Sequence, residues 1–331
     1  MRSDVTVLLS SGGRRAALLD ALRRGGAAAG VSVNTIVTDR SPLSAAGHLA
    51  DGYELVPPVA SAEFIPAMAD VVRRHGVDVI VPTIDPELAV LADGRAQLEA
   101  AGATVLVSDK TTVDICSDKA RSSGWLTATG FDVPRQYSFD EAADLPLDVW
   151  PLFFKPLEGS SSIGAHPVHS PAEVELATAR FGAGVIEELV VGPEYTVDCW
   201  VDPAGRCGAA VPRRRLAVRA GEVAKGSTEC HEAIEVTARA IAEALPGGRG
   251  PVTIQAIDTD CGPRFIEINP RFGGGYPLSH EAGAWYTAVL IAEVAGTDID
   301  PTWFEWRGDL VMLRYDDAVF VPRHRVDELE R

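Results

Sequence analysis

The chain has 331 residues, a formal net charge of −17 at pH 7 and a mean hydropathy of +0.07. This length is enough for roughly two or three packed lobes. The sequence has no apolar run of about 18 residues, which excludes a conventional membrane-spanning helix. Its acidic excess disfavours nucleic acid as a partner, because a phosphate backbone would be repelled. The N-terminus enters an apolar strand without the apolar core of a signal peptide, so we expect a cytoplasmic protein.

Residues 1–112 alternate between short apolar runs and helical segments. This alternation predicts a parallel, doubly wound sheet with crossover helices, and hence an α/β fold. Asp85 and Glu87 follow one of the predicted strands, at the edge where such sheets bind ligands. They either contact a substrate amine or cap the next helix, and we favour capping.

The middle of the chain combines two lysines with a loop of small residues. Lys119 opens a predicted helix, and Lys155 lies near the end of a predicted strand over residues 151–156. The loop that follows contains Gly159, Ser160, Ser161 and Ser162. Backbone N–H and hydroxyl groups in such a loop can wrap phosphate oxygens. By itself, the loop would also fit an ordinary surface turn.

Two polar segments follow. The first is an acidic strand end and turn, containing Glu187, Glu188, Leu189, Val190 and Glu194. The second, over residues 213–225, is the most basic part of the chain and has few core-type residues, so we predict a mobile loop. A solvated charge run is one interpretation of these cations. We favour anion binding through Lys225 and either Arg215 or Arg219.

A hairpin is predicted where strand 251–258 and strand 265–269 flank the turn 260–263. Glu267 and Asn269 share one face of the second strand, and Gln255 can lie beside Glu267. Oxygen ligands of this kind suit a hard cation such as Mg²⁺, and Arg271 beyond them suits phosphate. The alternative is a hairpin whose polar face meets only water.

Gln255, Glu267, Asn269 and Arg271 resemble the metal-binding core of the ATP-grasp superfamily, especially the large subunit of carbamoyl phosphate synthetase and, more distantly, biotin carboxylase. The resemblance implies an N-terminal pre-ATP-grasp domain over residues 1–112 and an ATP-grasp domain over residues 113–331. The latter would comprise two α+β subdomains, a small lid near 122–187 and a large subdomain near 188–331.

The resemblance also implies roles for the residues described above. Mg²⁺, with Mn²⁺ as an alternative, would be held by Gln255, Glu267 and Asn269. The predicted ATP contacts are Lys119, Lys155, Gly159, Ser160, Ser161, Ser162, Glu187, Glu188, Leu189, Val190 and Glu194. Glu194 would hold the ribose, and Glu188 to Val190 would meet the adenine edge. Arg271, Lys225 and Arg215 are the predicted catalytic cations. Asp85, Glu87, Arg219 and Gly274 are the predicted substrate contacts.

The activity implied by the resemblance is an ATP-dependent carboxylate–amine ligase that forms an acyl phosphate and releases ADP and phosphate. The predicted partners are a small-molecule carboxylate and an amine, and a homodimer is a further expectation. An activity like that of carbamoyl phosphate synthetase is a less favoured alternative, because that enzyme has two such units and a glutamine-hydrolysing partner. An acyl-phosphate-forming kinase and a nucleotide-binding module without turnover stay open as alternatives.

Overall fold

The computed structural model describes residues 2–157, 164–219 and 221–330. Its strands are β1 (Asp4–Leu9), β2 (Ser32–Asp39), β3 (Gly52–Leu55), β4 (Val79–Val81), β5 (Thr104–Val105), β6 (Gln136–Tyr137), β7 (Leu152–Pro156), β8 (His166–Val168), β9 (Gly184–Glu188), β10 (Glu194–Val201), β11 (Cys207–Arg219), β12 (Glu222–Thr228), β13 (Gly250–Ile257), β14 (Arg264–Asn269) and β15 (Val311–Leu313).

The helices of the same ranges are α1 (Ala16–Ala28), α2 (Ala45–Leu49), α3 (Phe64–His75), α4 (Asp85–Asp93), α5 (Arg95–Ala101), α6 (Lys110–Ser117), α7 (Lys119–Ala128), α8 (Phe139–Ala143), α9 (Pro171–Phe181), α10 (Glu232–Ala244), α11 (Tyr276–Ala282), α12 (Tyr286–Ala295) and α13 (Arg323–Leu329). Two short 3₁₀ turns lie at Leu147–Val149 and Pro301–Phe304. Not one of the described helices has the length and apolarity that a membrane crossing needs.

The first sheet contains five parallel strands in the order β3-β2-β1-β4-β5. Side chains of β1 alternate between its two faces, as expected for a strand. Val7 and Leu9 enter a core with α1 and α12, whereas Leu8 packs on the opposite face with residues of α3 and α5. Helices therefore cover both faces, and the predicted doubly wound sheet is confirmed.

The second sheet is small and antiparallel, with the order β6-β9-β7-β8. Leu152 and Phe154 of β7 pack with Ile186 of β9 and with Val174 of α9 in a core of its own. Because β7 alternates buried and partly buried positions, Lys155 points away from this core. The sheet thus presents a lysine-bearing face to the rest of the molecule.

The third sheet has the order β14-β13-β10-β11-β12-β15 and antiparallel pairing throughout. One face packs on α10, where Val197 meets Ile241. On the other face, Trp200 packs with Tyr286 of α12, which belongs to the core that also contains Leu18 of α1. This shared core holds the third sheet against the first sheet's lobe.

The basic segment 213–225 is not a mobile loop, so that prediction was wrong. Its residues form the end of β11 and the start of β12, which pair with each other, and β12 also pairs with β15. The basic composition of the segment was misleading because Arg213 is buried and forms an ion pair with Asp198, so this arginine occupies a core position. Within the tail 310–321, the structure describes one strand, β15.

Candidate active site

A cleft of about 450 Å³ lies where the three sheets meet. This volume falls within the range typical of small-molecule sites. Residues from the first sheet's lobe, from β7 and β9, and from the third sheet all line it. Of the predicted site residues, those on its wall are Asp85, Lys119, Lys155, Glu187, Glu188, Leu189, Val190, Glu194, Arg215, Gln255, Glu267, Asn269, Arg271 and Gly274.

The β13–β14 hairpin supplies the oxygen-rich part of the cleft. The pairing register places Gln255 directly opposite Glu267, and Asn269 opposite Thr253. The Gln255 Nε2 group donates to Glu267 Oε2 at 2.7 Å. Because cross-strand neighbours share a face, one carboxylate and two side-chain amides converge on the cleft. The predicted hairpin and the adjacency of these three residues are confirmed.

Asp85 and Arg271 form an ion pair across the cleft. Arg271 Nε donates to Asp85 Oδ1 at 2.7 Å, and Arg271 Nη2 donates to Asp85 Oδ2. Asp85 is the first residue of α4, in the lobe of the first sheet, whereas Arg271 follows β14. The predicted phosphate-binding arginine therefore has its charge balanced by a residue from another lobe.

Lys155 of β7 is held by Glu187 of β9. Its Nζ makes an ion pair with Glu187 Oε1, and both side chains are largely buried. Burial raises the pKa of Glu187, although the charge of Lys155 opposes this shift. The pair fixes the ammonium group on the cleft wall. Lys119, the first residue of α7, lines the same wall.

The segment predicted to be an adenine hinge lies between β9 and β10. Leu189 and Val190 lie on the cleft wall and belong to neither strand, so their backbone groups are outside the sheet pairing. Glu194 begins β10 and lies 3.1 Å from Arg215 Nε. Burial raises the pKa of Glu194, while Arg215 acts in the opposite direction.

Arg213 is a buried cation beneath the glycine segment 273–275. Its Nε and Nη2 donate to the two carboxylate oxygens of Asp198 at 2.7 and 3.0 Å, and Ser279 Oγ also donates to Asp198. Its Nη1 has no hydrogen-bond partner among the described residues. A Cβ on Gly275 would lie 2.2 Å from that nitrogen. The sequence interpretation missed this role because it assigned the whole basic segment to a loop.

Arg15 is a second cation that the sequence interpretation missed. It lines the cleft from the turn between β1 and α1 and donates to the carbonyl oxygen of Thr83 at 3.1 Å. Burial lowers the pKa of Arg15, and the charge of Arg271 adds to that effect. Its position after the first strand is the signal that could have found it, since parallel sheets bind ligands at that edge.

Three predicted contacts lie elsewhere. Glu87 is fully buried and accepts hydrogen bonds from the Thr83 and Ile84 backbone N–H groups, so it stabilises the start of α4 and not a substrate. Arg219 is exposed on an ion pair with Asp316. Lys225 is exposed on β12 and is not among the residues that line the cleft. These three assignments are corrected because none of the three side chains is on the described wall of the cleft.

Four predicted ATP contacts, Gly159, Ser160, Ser161 and Ser162, lie outside the described residues. The loop prediction for them therefore stays a prediction. Lys155, just before the undescribed residues 158–163, is on the cleft wall.

Opposite charges balance along the described cleft wall. The cations are Arg15, Lys119, Lys155, Arg213, Arg215 and Arg271. The anions are Asp85, Glu187, Glu188, Glu194, Glu222 and Glu267. Because six cations face six carboxylates, the wall offers no net positive charge to a bare triphosphate. A nucleotide whose charge is neutralised by a metal ion suits this wall better.

The hairpin residues fit Mg²⁺ as a metal that arrives with a nucleotide. Within the described ranges, no group of three or more His, Cys, Asp or Glu residues could hold a metal ion. Mg²⁺ is usually held by one or two carboxylates together with substrate phosphates and water, not by a cage of protein ligands. One carboxylate, Glu267, with the amide oxygens of Gln255 and Asn269, matches that pattern.

Two family models match separate parts of the chain, and the larger match is to an ATP-grasp family. Residues 7–106 match the family described as PylC-like, N-terminal domain. Residues 180–314 match the family described as ATP-grasp in the biosynthetic pathway with Ter operon. The second match contains the segment predicted to be an adenine hinge, the β11–β12 hairpin and the candidate metal residues.

Curated relatives resemble part of the chain. A formate-dependent phosphoribosylglycinamide formyltransferase from Synechococcus sp. (strain RCC307) is 29% identical over 176 residues, which is 51% of this chain and 43% of the relative. A D-alanine–D-alanine ligase from Corynebacterium efficiens is 31% identical over 114 residues, which is 32% of each chain. The chain therefore spans less than half the length of these relatives.

Solved structures share the fold over most of the chain. The biotin carboxylase domain of the Hydrogenobacter thermophilus 2-oxoglutarate carboxylase gives a TM-score of 0.70 at 16% identity, covering 92% of this chain and 73% of that one. An L-amino acid ligase from Bacillus licheniformis gives 0.69 at 17% identity, covering 94% and 79%. At such identities the likeness establishes the architecture alone.

Proposed function

We propose that the chain is an ATP-dependent carboxylate–amine ligase. The observation that supports this most strongly is the convergence of Lys119, Lys155, Glu267 and Arg271 on one cleft, from three different parts of the fold. The names of two relatives, a D-alanine–D-alanine ligase and an L-amino acid ligase, support an amine as the second substrate. We therefore place an amino acid or a related carboxylic acid among the candidate substrates.

The first step activates the acid. A carboxylate oxygen of the substrate attacks the γ-phosphorus of ATP, the bond from that phosphorus to the β–γ bridging oxygen breaks, and ADP leaves. The product is an acyl phosphate, whose phosphate group leaves far more readily than an oxide would. Because little covalent chemistry falls to the protein in such transfers, catalysis depends on positioning and on charge.

The cleft residues provide that positioning. Lys119 and Lys155 would neutralise the α and β phosphates, and Glu194 would accept hydrogen bonds from the ribose hydroxyls. The backbone groups of Leu189 and Val190, which lie outside the pairing of β9 and β10, would meet the adenine edge. Arg271, oriented by Asp85, would donate to the transferring phosphoryl oxygens. Arg215 would hold Glu194 in place and not contact phosphate directly.

Gln255, Glu267 and Asn269 would hold Mg²⁺, which when bound neutralises phosphate charge. Use of Mn²⁺ in its place stays a prediction, as do a homodimer and a cytoplasmic location. The small lid and large subdomain boundaries are likewise proposals.

The second step forms the C–N bond. The nitrogen lone pair of the amine attacks the carbonyl carbon of the acyl phosphate, and the carbon–oxygen bond to phosphate breaks. The products are an amide, inorganic phosphate and one proton. A cleft that excludes water protects the acyl phosphate until the amine arrives.

Hydroxylamine trapping tests the proposal. The chain is incubated with MgATP and a matrix of amino acids and other carboxylic acids, and the acyl phosphate is captured as a hydroxamate. We expect slow ADP release with the acid alone and rapid release once an amine is added. The Glu267→Gln variant should form hydroxamate and release ADP much more slowly than the unmodified chain.

The other outcomes identify the rival functions. Full turnover without an amine would indicate an acyl-phosphate-forming kinase. Binding of MgATP without ADP release under any condition would indicate a nucleotide-binding module. Release of AMP and pyrophosphate would place the attack at the α-phosphate, and the roles given to Arg271 and to the hairpin would then be wrong.

A further inference from the structure

A second cavity of about 170 Å³ lies between the turn that joins β1 to α1 and the glycine segment 273–275. Ser11 and Arg14 line it from the first sheet's lobe, and Gly274 and Arg314 line it from the opposite side. None of the residues assigned above to ATP or to Mg²⁺ contributes to its wall. The activity proposed above leaves this cavity without a role.

The charges on this cavity are unbalanced, unlike those of the main cleft. Three arginines, Arg14, Arg15 and Arg314, line it together with a single carboxylate, that of Glu222. Glu222 Oε2 lies 3.0 Å from Arg314 Nη1 and 3.6 Å from Arg14 Nη2. One carboxylate cannot neutralise three guanidinium groups. The chain as a whole has a net charge of −17, whereas this cavity has a local surplus of two positive charges, and that local charge favours the binding of an anion.

The Glu222 carboxylate interacts with these three arginines. Burial would raise its pKa, but the charge of Arg15 and the hydrogen bond from Arg314 outweigh burial and hold that pKa below its usual value. Glu222 therefore stays ionised and orients the guanidinium groups. It leaves their remaining N–H donors for a further acceptor.

Arg15 joins the cavity to the main cleft. It lines both spaces, as do Ile84, Glu222, Gly273 and Gly274. A Cβ at Gly274 would lie 2.8 Å from Arg15 Nη1, so the absence of a side chain there lets the guanidinium reach the boundary. A molecule whose reacting carboxylate or amine lies in the main cleft can thus extend a second group past Arg15.

We propose that this cavity, defined by Arg14, Arg15, Arg314 and Glu222, binds a terminal anionic group of a substrate, either a carboxylate or a phosphate monoester. The inference rests on the proposed function, because it assigns the cavity to a substrate of the same reaction. A space of about 170 Å³ holds such a terminal group and a few attached atoms, but not a nucleotide. Guanidinium forks match the planar or tetrahedral oxygens of these anions.

Thermal unfolding with two simple anions tests this. The full chain is titrated with sodium acetate and, separately, with inorganic phosphate, at constant ionic strength. Each titration is made with and without the non-hydrolysable analogue MgAMPPNP, which occupies the nucleotide phosphate positions. We expect a saturable rise in Tm that persists with MgAMPPNP present, because a ligand of the native state stabilises it by mass action. Whichever anion binds more tightly identifies the terminal group.

Two variants and a control locate the effect. Arg314→Gln and Arg15→Gln should each weaken the binding of the anion at least roughly tenfold, since each removes a charged hydrogen-bond donor. Arg314 is partly exposed and lies outside the cores, so its variant should fold even if the other does not. Arg73→Gln removes an exposed arginine of α3 that pairs with Asp70 and should bind the anion normally.

Absence of a saturable rise with both anions would overturn the inference, as would equal binding by Arg314→Gln and Arg73→Gln. Failure of the proposed function has a different signature, namely no amine-dependent ADP release from MgATP with any acid, whether or not the simple anions raise Tm.

Discussion

Asp85 and Arg271, which are 186 residues apart, form a two-point ion pair between the lobe of the first sheet and the end of the β13–β14 hairpin. The Arg271 side chain is 13% exposed and that of Asp85 is 37% exposed, so the pair lies at the cleft edge. Two parallel N–H···O bonds fix the plane of a guanidinium group as well as its position. The lobe that we assign to the substrate side thus orients the cation that we assign to phosphoryl transfer.

Asp85→Asn should lower the rate of ADP release by roughly 10- to 100-fold, because Arg271 loses the partner that holds its geometry. Stability should change little, since a partly exposed ion pair contributes only modestly to folding. Steady-state kinetics and thermal unfolding measure the two effects. Asp316→Asn, which breaks the exposed pair with Arg219, is the matched control and should leave both quantities unchanged. An Asp85 variant with normal turnover would contradict the assigned role of the pair.

Glu267→Gln should reduce turnover by roughly 100- to 1,000-fold while the fold survives, because the hairpin loses its only carboxylate on the cleft. The Mg²⁺ concentration needed for half-maximal ADP release should also rise. Glu99→Gln serves as the control, because it makes the same change of charge at an exposed position of α5 that is not on the cleft wall. A normal Mg²⁺ dependence in Glu267→Gln would remove this residue from the metal site.

Gly275→Ala should destabilise the chain by about 1–3 kcal/mol, because the added Cβ overlaps the buried Arg213 guanidinium. The backbone φ of Gly275 is −94°, so steric overlap and not backbone strain is the cause. Gly124→Ala in α7 meets no atom within 4 Å and should stabilise the chain by about 0.5–1 kcal/mol. Denaturant unfolding of both variants gives the comparison. If the two variants changed the free energy of unfolding equally, Arg213 would have moved away from the new Cβ without loss of stability.

His280 of α11 should make the native state less stable in acid. Burial, with a smaller contribution from Arg24, lowers the pKa of His280 to about 4, from about 6.5 in the unfolded chain. Nearby Glu281 and Asp20 oppose the shift. The unfolded state therefore takes up the proton first, and stability present above pH 6.5 is lost as the pH falls towards 4.

The total loss from this group would be of order 3 kcal/mol. Tm measured between pH 7 and pH 4 should fall less steeply for His280→Gln than for the unmodified chain. His324→Gln, at an exposed position of α13, should leave the slope as it is. If the His280 variant shows the unmodified slope, acid sensitivity has another origin.

Much of the architecture follows from local patterns. Apolar strands alternating with helices predicted the first sheet, and the period-two pattern of residues 251–269 predicted the β13–β14 hairpin with Gln255 beside Glu267. These predictions succeeded because strand pairing across a short turn and strand-to-helix alternation are encoded within a few dozen residues. The family resemblance rested on the same segments.

The basic segment shows where local patterns fail. Its composition predicted a mobile loop, yet Arg213 is among the largest fully buried side chains of the described residues. The residue that makes this possible, Asp198, lies on the neighbouring strand β10. A buried cation is tolerated only when a counterion meets it with good geometry. Nothing in the composition of residues 213–225 contains that information.

The sequence by itself determined the fold class, the β13–β14 hairpin and most of the predicted residues that line the cleft, because these depend on periodicity and on neighbours close along the chain. Only the tertiary structure decided which charges meet. It paired Asp85 with Arg271, buried Glu87 beneath Ser10, turned Arg219 outward and brought Arg15 into the cleft. Such pairings join residues far apart in sequence, and their energies depend on distance and burial, which exist only once the lobes have packed.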